Sequence, residues 1–206
     1  MLADIKFAFH IMFHPFDGFW DMKHEKKGRL WLALLFVFLL GITNIISAEV
    51  TGFLFNPTKF QNVDFLFEME KVIVLCILIC TANWSITTLM DGEGSFKDIV
   101  MVFGYSCLPM ILIQIPAAFI SNIASYSEIA YINILNVGSV VWFIFLLFFG
   151  IMTVHQYSLG KMFATTVLTV AAAAVIVFVY LLFFSLLTQM GTFIATIYKE
   201  IAFRLR

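Results

Sequence analysis

Charge is what this chain has least of. Of 206 residues only 12% are Asp, Glu, Lys or Arg, while 62% are hydrophobic, and the mean hydropathy is +1.00. Acids and bases nearly cancel, at a formal net charge of −1. That excludes the strongly basic surface that nucleic acid requires. No charged residue is centred in any of the long apolar runs. Proton-coupled pumping and hydrolysis within a membrane both need a buried titratable group, so this absence argues against them. There is no Ser-His-Asp set, G-x-S-x-G, H-E-x-x-H or P-loop, hence no recognisable catalytic chemistry. Cysteine is also scarce. Cys76, Cys80 and Cys107 show no C-x-x-C or Cys/His spacing, and Cys76 and Cys80 share one helix face without facing each other. All three read as small packing residues.

What is abundant is unbroken apolar sequence. Five runs, at residues 30–48, 72–90, 99–120, 132–154 and 162–187, are near or above the ~20 residues a helix needs to cross the hydrocarbon core. Only helices and closed barrels satisfy their backbone in lipid. A barrel would alternate in polarity, whereas runs such as CILIC and VIVFVYLLFF do not. The expected fold is an all-α polytopic bundle of five transmembrane helices with an N-terminal interfacial helix. Three regions are expected: a cytoplasmic or interfacial amphipathic segment at 1–29, the membrane domain at 30–190, and an amphipathic tail at 191–206. The segment before residue 30 has no small-residue cleavage site, so the first span is expected to be an uncleaved signal anchor.

In that N-terminal segment Leu2, Ile5, Phe9, Met12, Phe13 and Phe16 recur at helical spacing, with Asp4, His10, His14 and Asp17 largely on another face. Pro15 should break or kink the helix near His14. Trp20 is a natural interfacial anchor. Lys23, Lys26, Lys27 and Arg29 precede the first span, which predicts a cytoplasmic N-terminus in a multi-pass protein of the cell membrane. The loops at 91–98 and 155–161 would share that side, with 49–71, 121–130 and the C-terminus opposite. His155 is expected to see water. His10 and His14 have the i, i+4 spacing of a metal pair, but Pro15 disrupts the helix that would align them. Asp91, Glu93 and Asp98 lack the length and the closing Glu of a calcium loop and read as a solvated turn. No metal or other cofactor is expected.

The third span is unusual in carrying Gly104, Pro109, Gln114 and Pro116. Two prolines free two carbonyls, which lipid cannot satisfy, so this helix is expected to sit centrally, with Tyr105, Ser106, Asn83 and Asn136 as donors. The remaining polar side chains in the spans are neutral. They read chiefly as interhelical hydrogen-bonding groups.

The segment FGYSCLPMIL at 103–112 resembles the Yip1 family of small multispanning membrane proteins, through Gly104, Tyr105, Ser106, Leu108 and Pro109. The N-terminal HPFDGFWDMKHEKKG is similar to the opening of bacterial members. The resemblance implies an adaptor and not a catalyst: eukaryotic members serve vesicle traffic and bind small GTPases and one another. This chain lacks their long hydrophilic N-terminal domain, and some bacterial members associate with transport systems. The expected function is thus a non-enzymatic accessory protein. It would bind the lipid bilayer and another integral membrane complex, such as an ABC transporter permease, and no nucleic acid. The candidate partner-binding or bundle-packing residues are Phe9, Phe13, Phe16, Trp20, Gly104, Tyr105, Ser106 and Pro109. The alternative is a small transporter or channel lined by Asn44, Asn83, Gln114 and Asn136.

Overall fold

A computed structural model describes residues 2–52 and 64–204. Eight α-helices appear there and no strand: α1 (Leu2–Phe13), α2 (Pro15–His24), α3 (Leu30–Val50), α4 (Phe65–Leu89), α5 (Phe96–Ser106), α6 (Leu108–Ile120), α7 (Ile129–His155) and α8 (Leu159–Arg204). Five segments are long and apolar enough to cross a membrane, with α5 and α6 together forming the third. The protein is a multi-pass membrane helix bundle.

The third span is the hub. In its most apolar stretch 61% of residues are buried, against 28–39% for the first, second and fourth spans and 0% for the fifth. It breaks between Ser106 and Leu108, where Pro109 falls in the first turn of α6 and needs no amide hydrogen. The expected side-chain donors are not what closes this break. The Cys107 amide turns back to the carbonyls of Gly104 and Tyr105. Ser106 Oγ donates to its own helix at Val102 O (2.7 Å), and Asn83 reaches Thr169 in α8 (3.3 Å). A helix that restarts at once supplies its own amide, which no distant side chain needs to replace.

Gly104 is where α5 lies flush on α3. A Cβ there would come within 2.4 Å of the Ala33 carbonyl oxygen, a backbone atom that cannot swing aside. Around this contact Phe103, Tyr105, Cys107 and Leu108 complete a core with Ala33, Phe36 and Val37. All three cysteines are buried free thiols.

The N-terminal segment forms two helices, not one. The break falls at His14, where Pro15 was expected to interrupt the helix, and Pro15 then starts α2. The two pack side by side, and a Cβ on Gly18 would lie 2.8 Å from the Ile11 Cα. Ala8, Ile11, Met12, Phe19 and Met22 are buried in the bundle core. Phe13 meets Trp142, the middle residue of α7, edge-on at 6.0 Å between ring centroids, while Lys23 reaches Val154 at the end of α7. The pair therefore descends beside α7 to its midpoint and climbs back. It is a hairpin packed on one side against the bundle.

At the far end of the chain, α8 runs unbroken for 46 residues through Gly191, where the tail was expected to begin as a separate segment. Gly191 meets nothing within 4 Å, and the apolar turns on either side carry the helix across it. Met162 and Thr165 are buried near its start, but from residue 174 onward every described side chain is exposed.

Candidate functional site: the basic end of the bundle

The turns α2–α3, α4–α5 and α7–α8 meet at one end of the bundle, and they bring together residues far apart in sequence. Lys23 Nζ donates to Val154 O at 2.8 Å and to Glu93 at 3.3 Å. There it caps the negative end of the α7 dipole. Gln156 Nε2 donates to the same Glu93 oxygen at 2.6 Å. Glu93 thus ties the hairpin to the start of α8.

Beneath this junction lies His155. Expected to see water, it is only 2% exposed. The turn Asp91–Gly92–Glu93–Gly94 covers it, and this needs glycine: a Cβ on Gly92 would sit 2.4 Å from His155 Nδ1. The Gly94 amide donates to Nδ1 at 3.2 Å, which leaves the neutral ring's proton on Nε2. Tyr157 stacks on the imidazole at 5.4 Å and donates to Met90 O at 3.2 Å. Burial, and secondarily the charge of Asp91, raise the Tyr157 pKa above the ordinary phenol value. Asp98, read as part of a solvated acidic turn, instead forms a capping box with Ser95 at the start of α5.

Among the described residues the three non-glycine positions with left-handed backbone, Lys26, Asp91 and Gln156, each with φ 54°, all fall in these turns. Such conformations persist where surrounding structure holds them, and they cluster at functional sites. Lys27 is held by Asp21 at 2.8 Å and by Glu25, and these hydrogen bonds raise its pKa above the usual lysine value. Arg29 bonds Asp4 at 3.0 Å through its side chain, while its amide donates to the Tyr105 hydroxyl at 3.2 Å. Tyr105 is thus the acceptor at the start of α3 and the ring against which Phe7 and Phe36 pack edge-on, at 6.2 and 5.7 Å.

The family model for the Yip1 domain matches residues 9–182. The chain belongs to the Yip1 family. No curated protein and no solved structure matches it. The Yip1 domain takes in most of the hairpin, the hub and the junction around Glu93, and it leaves the distal part of α8 outside.

Within this domain the candidates drawn from the sequence separate into two groups. Gly104, Tyr105, Ser106 and Pro109 are buried in the hub. Phe9, Phe13, Phe16 and Trp20 are 39–61% exposed along the outer side of the hairpin. Its inner side uses Ala8, Ile11 and Phe19 instead. The neutral polar residues of the channel reading do not converge: Asn83 faces Thr169 across α4 and α8, and Gln114 faces Ser139 across α6 and α7. His10 and His14 stack on each other at 5.1 Å, and among the described residues no group of three ligating side chains surrounds a possible metal position.

Proposed function

We propose that this Yip1-family membrane protein is a non-catalytic adaptor that holds another integral membrane protein through α8 and the outer face of the hairpin. The observation that carries this reading is the bare fifth span. At 46 residues α8 is ~69 Å long, more than twice the ~30 Å hydrocarbon core. Exposed apolar side chains continue along it past the bundle, and Phe178, Phe193 and Phe203 among them are 60%, 66% and 84% exposed. Lipid can cover only part of such a helix, and a neighbouring membrane protein covers the rest. In a bacterial cell membrane a transporter permease, such as that of an ABC system, is the candidate partner. A photo-crosslinking residue at Phe178 is expected to capture one membrane protein reproducibly from native membranes. The same residue at Ile123, exposed in the turn between α6 and α7, is expected to capture none. Capture of lipid alone at Phe178 would end the adaptor reading.

The orientation we propose places the basic end, with Lys23, Lys26, Lys27 and Arg29, in the cytoplasm, following the positive-inside bias. Cysteines introduced at Lys26 and at Ser127 lie at opposite ends of the bundle, and the three native thiols are buried. An impermeant thiol reagent on intact cells is expected to label Ser127→Cys and spare Lys26→Cys. The reverse pattern would invert the protein in the bilayer. Residues 53–63 of the loop at 49–71 assigned to the outer side lie outside the described residues.

A further inference from the structure

A groove of about 510 Å³ opens between α1 and the turn joining α2 to α3. Five bases or histidines, Lys6, His10, Lys26, Lys27 and Arg29, line it against one acid, Asp4, together with Phe7. Its charge is only partly spent. Arg29 is engaged by Asp4, and Lys27 by Asp21 and Glu25. Lys6 and Lys26 have no ion pair among the described residues, and both are exposed. Lys26 reaches this position from a left-handed backbone, which a lysine adopts only at some conformational cost. A second groove of about 340 Å³ shares Lys6 and His10 and continues down α1 between Phe9, Phe13 and His14. Positive charge at the mouth thus passes into an aromatic path along α1.

We propose that this double groove seats one anionic phospholipid, its phosphate between Lys6 and Lys26 and an acyl chain along Phe9 and Phe13. Free phosphate shares the headgroup chemistry but gains nothing from the aromatic path. Zwitterionic lipid shares the chain but carries a cation that the lysines repel. Basic pockets beside membrane helices recognise anionic headgroups in this way. The site stands whether or not α8 engages a partner.

The test uses the full chain purified in an uncharged detergent. Lipid retention is counted by native mass spectrometry, and melting is followed with added phosphatidylglycerol, phosphatidylcholine or inorganic phosphate. Phosphatidylglycerol is expected to be retained at one copy and to raise the melting temperature, while the other two leave it unchanged. Lys6→Gln with Lys26→Gln is expected to weaken phosphatidylglycerol about 30-fold, since each lysine near a lipid surface contributes about fivefold. Lys6→Arg with Lys26→Arg should restore retention, which separates lost charge from lost folding. Equal effects of the two lipids, a matching effect of inorganic phosphate, or full retention by the double Gln variant would each overturn the proposal.

Discussion

Replacing Gly104 with leucine is expected to lower the melting temperature of the purified protein by about 6–12 °C. Ordinary overpacking costs about 1–3 kcal/mol. Here even the first carbon would lie 2.4 Å from a backbone oxygen and 2.7 Å from the Ala33 Cα, so the cost belongs at or above the upper end. About 3 kcal/mol in a domain of this size corresponds to that shift. The control is Gly138→Leu, at an exposed position of α7, where a Cβ would meet nothing within 4 Å. Removing glycine from a helix interior there contributes up to about 1 kcal/mol of stability, so no fall is expected. Equal melting of the two variants would show that α5 and α3 do not depend on this close approach.

Phe19→Ala is expected to be comparably severe. Phe19 has no exposed surface, and its ring fills the space left by Gly150, where a Cβ would come within 2.9 Å of it. Truncating a buried phenylalanine costs about 3–5 kcal/mol. Phe16→Ala in the same helix removes a ring that is 49% exposed and meets Phe149 edge-on, and about 1 kcal/mol is expected. Melting of both variants in detergent measures the difference. Near-identical values would mean that the hairpin only rests on the bundle. By the same packing, deleting residues 1–16 should destabilise the bundle, because Ala8, Ile11 and Met12 leave with them.

The five spans were legible in the sequence because crossing lipid demands a property, continuous apolar length, that neighbouring residues display together. The central place of the third span was legible for a related reason: two prolines and Gly104 in one apolar run make sense only among protein neighbours. The hairpin was harder to see. Its α1 is apolar on both sides, with Ile5, Phe9 and Phe13 outward and Ala8, Ile11 and Met12 inward. Helical spacing therefore picked out a stripe that, apart from Met12, runs along the exposed side at Ile5, Phe9, Phe13 and Phe16. The junction around Glu93 left no local mark at all. Lys23 and Glu93 are 70 positions apart, and Gly94 and His155 are 61 apart. Only the folded bundle brings those turns together, so a histidine at the end of a span gave no sign that a glycine turn would cover it. The unbroken course of α8 was obscured by Gly191, which as a residue type signals an end and in this helix merely costs a little stability.

The anchorage of α8 has a mechanical consequence. Met162 and Thr165 bind its first turns to the bundle, and Gln156, immediately before it, is bonded through Glu93 to Lys23 in the hairpin. The exposed stretch from residue 174 to Arg204 is a rod of ~46 Å held at its base, and so a lever: a rotation of about 10° there sweeps the free end through about 8 Å. Small adjustments among the turns at the basic end, including a shift of the single glutamate that joins them, are thereby magnified at the other side of the bilayer.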